Sequence, residues 1–145
     1  INYDIFFFMK KKEMPKTIPV FRLSNFIIFP KTTVPLNIFE PRYFEMISDS
    51  IRTDKFIGMI QPKSINDENS LIPSLHKIGC LGKIISFNET VDNRFIISLS
   101  GLIRFRIKEE LVKEKAYRKF NVDYSEFLDD LQIEKNKIIK TIPGK

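Results

Sequence analysis

A chain of 145 residues has room for one domain with a modest core, and its single cysteine, Cys80, excludes an intramolecular disulfide. The formal charge of +6 bears on solubility and weak attraction to anions. Lysine, isoleucine and phenylalanine are abundant while Ala116 is the only alanine, so the lysines reflect a codon bias as readily as a nucleic-acid footprint. No run approaches the roughly 20 apolar residues of a membrane-spanning helix, and the cluster Phe6, Phe7, Phe8 precedes the lysines that follow it, the reverse of a secretory signal. A cytoplasmic address is the expectation.

Residues 1–16 read as an N-terminal tail with no pattern to bury, in which Phe6, Phe7 and Phe8 dock or add a strand only as a lesser alternative. Met9 or Met14 is a candidate true start. From Ile18 the chain becomes strand-like: IPVFRL, a turn at Ser24-Asn25, then FIIFP. Val34, Leu36 and Ile38 alternate with Pro35 and Asn37, the period of a half-buried strand. The period then turns helical. Pro41 suits a first helical position, and Glu40, preceding a proline, is pushed to extended geometry as the N-cap. Tyr43, Phe44, Ile47 and Ile51 share one face, opposite Glu45, Ser48, Asp49 and Arg52.

FIGMIQ reads as a short strand ended by Pro62, and residues 62–77 as a polar loop. IGCLGKIISF and RFIISLS are β-rich runs joined through Asp92-Asn93, which suits a hairpin. A second turn is expected at Ser100-Gly101, leading into LIRFRI, and a last strand over AYRKFNVDY. Leu128, Leu131, Ile138 and Ile142 recur at helical spacing, with Asp129-Asp130 placed to suit the helix dipole. Residues 126–145 are thus read as the start of a C-terminal helical segment.

NIFEPRYFEMI resembles the I-F-E-P-R-Y signature of the Lon N-terminal domain family, the substrate-recognition domain of ATP-dependent Lon protease, which also occurs as a stand-alone bacterial protein and within cereblon. Gly101, Arg104, Phe105, Arg106 and Ile107 match a second signature, G-x-x-R-F-R-I. Departures occur at Arg22, where the family usually has proline, at Lys31, where it has glycine, and around Cys80, Gly82 and Lys83. The glycine matters because lysine tolerates positive φ poorly. The resemblance implies a mainly β (α+β) fold over residues 17–125, a PUA-like pseudo-barrel with one helix after the IFEPRY motif. It also implies a recognition module for unfolded or degron-bearing polypeptides, or an adaptor, with a protease or chaperone as a further partner and no cofactor.

Catalytic chemistry finds little support in the residues. There is no phosphate-cradling G-x-x-x-x-G-K-[ST] loop, and one histidine with one cysteine cannot build the usual zinc site. His76 and Cys80 read more simply as a surface histidine and a buried thiol than as a nucleophile pair. Arg42, at the second helical position, opposes the helix dipole. It is either held by a salt bridge or hydrogen bonds to loop carbonyls that lock helix to barrel, or free for an anionic ligand or partner carboxylate. Arg104 and Arg106 share a strand face, either as an ordinary solvated face or as a basic strip with Lys108, Lys113, Lys115, Arg118 and Lys119. Phe39 and Tyr43 fit a core as well as a binding groove. The candidate partner-binding residues are therefore Phe39, Arg42, Tyr43, Arg104 and Arg106. RNA binding is the rival reading, disfavoured because the aromatics are not interleaved with basic residues as in a stacking platform.

Overall fold

The computed structural model describes residues 14–22, 28–61 and 77–131. Its elements are β1 (Thr17–Arg22), β2 (Thr33–Ile38), α1 (Pro41–Ile51), β3 (Phe56–Ile60), β4 (Ile78–Glu89), β5 (Phe95–Glu110), β6 (Lys119–Asp123) and a 3-10 turn (Ser125–Phe127). The strands form one sheet in the order β2-β5-β4-β3-β1-β6, and a further pairing of β5 with β6 closes it. Every pairing is antiparallel except β1 with β3. The mainly β pseudo-barrel is thus the observed architecture, with α1 as its signature helix.

Closure depends on the length of β5. Its first part, Phe95 to Ser100, pairs with β2, and its last part, Arg106 to Glu110, pairs with β6. Its other edge runs along β4 almost throughout, with register shifts at Leu81/Gly82 and Ile84/Ser86. These bulges sharpen the twist that lets one strand serve two partners in series. The turn expected at Ser100-Gly101 is absent, because β5 runs straight through it. Gly101 serves a different need: a Cβ there would lie 2.2 Å from the carbonyl oxygen of Phe29. The residue is a point of close backbone approach, which a side chain would prevent.

Two apolar clusters hold the sheet. Phe21, Leu36, Ile38, Met46, Ile47 and Ile97 belong to one, which packs α1 onto β2 and β5. Ile18, Val20, Phe56, Leu81, Phe105 and Phe120 belong to the other. Alternate residues of β3 enter different clusters, Phe56 and Ile60 one and Ile57 and Met59 the other, so every residue of that strand is buried. Met14 is also buried in the second cluster, and the Tyr124 hydroxyl donates to the carbonyl of Pro15 at 2.5 Å. The residues just before β1 are therefore packed, although their sequence shows no pattern to bury. Of the FIIFP run, Ile28–Pro30 are not in a strand.

At α1 the local chemistry is as the sequence predicts in part. Glu40 is an extended N-cap, and Pro41 opens the helix, but no side chain caps it. Tyr43, Met46, Ile47 and Ser50 are the buried residues. The nominally polar face is also used. The backbone N–H of Ala116 donates to Glu45 (3.0 Å), and the Tyr117 hydroxyl donates to Asp49 (2.6 Å). Lys31 carries φ 71° in the turn before β2, where its N–H donates to the Gly101 carbonyl at 2.8 Å. The turn thus keeps the geometry that glycine would favour despite the lysine. The β4–β5 hairpin turns at Asn93, with φ 63°, and Thr90 bonds the backbone of Arg94 on either side of it.

The tail before residue 14, the turn at Ser24-Asn25, the 62–76 loop with His76, and the helical spacing that includes Ile138 and Ile142 lie outside the described residues. Among the described residues no helix is long and apolar enough to cross a membrane.

Candidate functional site

The five candidate residues fall into two separate groups. Phe39, Arg42 and Tyr43 gather where β2 runs into α1, and Arg104 and Arg106 lie on the far part of β5 beside the 3-10 turn. Most of the length of β5 separates them, since Ile38 pairs with Phe95 while Arg106 pairs with Asp123.

In the first group the two aromatics part company. Tyr43 is buried and stacks on Phe21 with ring centroids 4.2 Å apart. Burial pushes its hydroxyl pKa up, against a smaller lowering by Arg42, so it sits in the core as a neutral ring. Phe39 is 65% exposed. A one-residue offset explains the difference: Ile38 takes the inward position of β2, which leaves its neighbour facing out. Arg42 is held by a salt bridge, to the neighbouring N-cap acid rather than to the barrel. Its guanidinium pairs with Glu40 at 2.9 Å and lies over the Tyr43 ring at 4.7 Å. The acid at the N-cap thus offsets the cation that opposes the helix dipole.

In the second group both arginines are held by acids from the segment after β6. Arg106 pairs with Glu126, with Nη2 to Oε2 at 3.0 Å. Arg104 receives more. Asp130 accepts its backbone N–H (2.9 Å), its Nε (3.1 Å) and its Nη2 (2.8 Å), and the guanidinium lies over Phe127 at 4.8 Å. The side chain of Asp130 is only 5% exposed. Burial alone would raise its pKa, but the hydrogen bonds and charge of Arg104 outweigh that and hold it low. Further along the proposed basic strip, Arg118 forks onto Glu110 through two bonds of 2.8 Å. Four of the seven cations of that strip, Arg104, Arg106, Lys115 and Arg118, are therefore paired with carboxylates.

Asp130 is the residue that sequence reasoning missed. Its acidic pair fits a helix start equally well, and its partner lies on a strand far away in sequence. A polar cleft of about 440 Å³ lies where α1 ends, lined by Asp49, Arg52, Asp54, Lys115, Tyr117 and Lys119. Its central acid is already engaged, since Asp49 accepts from Tyr117 and pairs with Arg52 (2.7 Å) and Lys115 (3.7 Å). Cys80 is buried, and burial pushes its thiol up to about 12. Among the described residues no group of three or more His, Cys, Asp or Glu side chains is arranged to hold a metal ion.

The family described as the ATP-dependent protease La (LON) substrate-binding domain matches residues 17–142. Lon protease 2 of Myxococcus xanthus is 28% identical over 115 residues, covering 79% of this chain and 14% of that protein. Lon protease of Desulfosudis oleivorans is 29% identical over 106 residues, covering 72% and 13%. The chain therefore spans about one-seventh of the length of these relatives. In fold it is similar to the Lon N-terminal domain protein from Xanthomonas campestris, with a TM-score of 0.60 at 24% identity, covering 74% of this chain and 59% of that one. It is similar too to the N-terminal domain of the Mycobacterium avium complex Lon protease, with a TM-score of 0.59 at 14% identity, covering 75% and 54%. The chain belongs to the family of Lon substrate-binding domains.

Proposed function

We propose that this domain recognises exposed polypeptide segments and delivers or presents them without chemistry of its own. The observation that carries this reading is the match to a substrate-binding domain across residues 17–142. The described surface supports it. Phe39 stands exposed at the end of β2, next to a helix start whose charges are mutually satisfied. The buried, protonated thiol of Cys80 gives no nucleophile at neutral pH. Arg42, Arg104 and Arg106 then act mainly as structural pairs, and Phe39 is the member of the candidate set that contacts the partner.

The test is a titration of the chain against fluescein-labelled unfolded casein and a random RNA oligomer, at low and high salt. Casein binding that survives salt is the expected result, since apolar contact is weakly screened. RNA binding that collapses with salt, with no casein binding, would overturn the reading in favour of phosphate recognition. Phe39→Ser should weaken casein binding several-fold at unchanged melting temperature.

A further inference from the structure

We propose that the open edge of β2 takes up an extended, uncharged polypeptide segment as an added strand, a mode of binding that rests on the recognition reading above. β2 ends the sheet order and, among the described residues, pairs on one edge only, with β5. The direction of its backbone groups follows from two bonds. Gly101 donates its N–H to the Thr32 carbonyl and accepts the Lys31 N–H at its own carbonyl, both at 2.8 Å. The main chain of Gly101 therefore faces the β2 side.

Alternation along an antiparallel ladder then makes Val34–Leu99, Leu36–Ile97 and Ile38–Phe95 the hydrogen-bonded pairs of the observed register. Thr33, Pro35 and Asn37 turn their backbone groups the other way, to the open edge. The position of Pro35 agrees, because a proline with no N–H to give costs the ladder nothing there.

The edge thus offers N–H donors at Thr33 and Asn37 and carbonyl acceptors at Thr33, Pro35 and Asn37. They repeat every two residues, roughly 6.7 Å. A peptide backbone in extended form is the ligand whose own donors and acceptors match that repeat. The chemistry of the segment follows from the surroundings. Residues 32–39 carry no charge, and Ile96 of β5 with Ser86 and Asn88 of β4, the exposed side chains in line with Pro35 and Asn37, carry none either. The charged Lys83, tied to the Asp54 carbonyl, and Glu89 lie in line only with the two ends of β2. Edge strands are commonly guarded by lysine or by proline. Here Pro35 alone stands guard, in the middle of the edge. Phe39, exposed at its end, meets an apolar residue of the incoming strand.

Backbone substitution tests this with casein as the probe. Asn37→Pro removes one outward donor and leaves the β5 ladder intact, so casein affinity should fall by about tenfold, the worth of a hydrogen bond at a desolvated edge. Asn37→Ser keeps the N–H and should bind within about twofold of the parent. Pro35→Ala supplies a donor and should tighten binding by a few-fold. Should Asn37→Pro fail to fold, a short uncharged peptide N-methylated at alternate amides tests the same bonds on the other partner. It should bind about tenfold more weakly than its unmethylated form.

Equal binding by Asn37→Pro and the parent, or by the two peptides, overturns strand addition. So does a loss with Asn37→Ser as large as with Asn37→Pro. Dimerisation of Pro35→Ala with unchanged casein affinity would assign the edge to a second copy instead. If Phe39→Ser abolishes casein binding and Asn37→Pro leaves it, strand addition fails while recognition stands. If the parent chain does not bind casein, both fall.

Discussion

Among the described residues, the carboxylate of Asp130 meets the stretch of the β5 edge that neither β2 nor β6 covers. Along β5, pairing with β2 stops at Ser100 and pairing with β6 starts at Arg106, and between them the backbone N–H of Arg104 donates to Asp130 at 2.9 Å. The same carboxylate takes the guanidinium of Arg104 through two further bonds. One acid thus finishes a backbone ladder and anchors the segment after β6. Asp130→Ala should destabilise the fold by about 2–3 kcal/mol, the range for charged hydrogen bonds lost with a buried donor left unmet. Urea unfolding measures it. A loss below about 0.5 kcal/mol would show the contact to be surface decoration, as for an exposed pair.

Acid should weaken the fold through the same contacts. Hydrogen bonds from Tyr117 to Asp49, from Arg106 to Glu126 and from Arg118 to Glu110 lead the causes that hold these carboxyls below their ordinary values. At Asp130 the bonds from Arg104 prevail over the raising effect of burial. A carboxyl lowered in the folded state contributes stability that is full above its unfolded value, about 4, and is lost as pH falls through the folded one. Unfolding free energy should therefore be level from about pH 7 to 5 and decline below about pH 4. Asp130→Asn should flatten that decline. An unchanged slope would mean that other carboxyls carry the acid limb.

The sequence made β2 and α1 legible because their signals are local. Alternation placed Leu36 and Ile38 inside, and Pro41 after an extended Glu40 set the helix start. Asp92-Asn93 specified the hairpin for the same reason, with Asn93 accepting positive φ. Ser100-Gly101 misled because a glycine needed for close approach looks like one needed for a turn. What determines it is the Phe29 carbonyl, far off along the chain. Asp130 and Met14 were illegible on similar grounds, since their partners are distant and no period marks them. Among the candidate residues, pattern alone could not separate buried Tyr43 from exposed Phe39, as either ring fits an apolar junction of strand and helix.

Tyr117 is the second long-range tie. It is buried, and its hydroxyl donates to Asp49 across 2.6 Å, fastening the segment before β6 to the helix. Burial, then the hydrogen bond to Asp49, pushes its pKa well above the usual tyrosine value. Tyr117→Phe should cost about 1–2 kcal/mol, since Asp49 keeps Arg52 and Lys115 as partners. A tyrosine raised in the folded state loses stability as pH climbs past its unfolded value near 10. The parent should therefore weaken above about pH 10 and Tyr117→Phe less steeply. Parallel alkaline unfolding curves for the two proteins would place the alkaline loss elsewhere, Tyr124 being the next group with a raised pKa.

Substitutions of opposite sign should meet at the contact between Lys31 and Gly101. Lys31 sits at φ 71°, a conformation that costs a side-chain-bearing residue about 1–2 kcal/mol. Lys31→Gly relieves that strain but adds freedom to the unfolded chain and removes a cation that favours ionised Asp130. The net gain should be up to about 1 kcal/mol, or a few degrees in melting temperature. Gly101→Ala should do the reverse. Its Cβ would press on the Phe29 backbone, which cannot rotate away as a side chain would, so a loss of about 2–4 kcal/mol is expected. Because the Lys31 N–H is bonded to the Gly101 carbonyl, the two changes should not add. A shifted Gly101 backbone loosens the turn and so reduces what Lys31→Gly can recover. A double variant equal to the sum of the singles would show that the turn and the strand yield independently, and that the Phe29 contact does not set the conformation at Lys31.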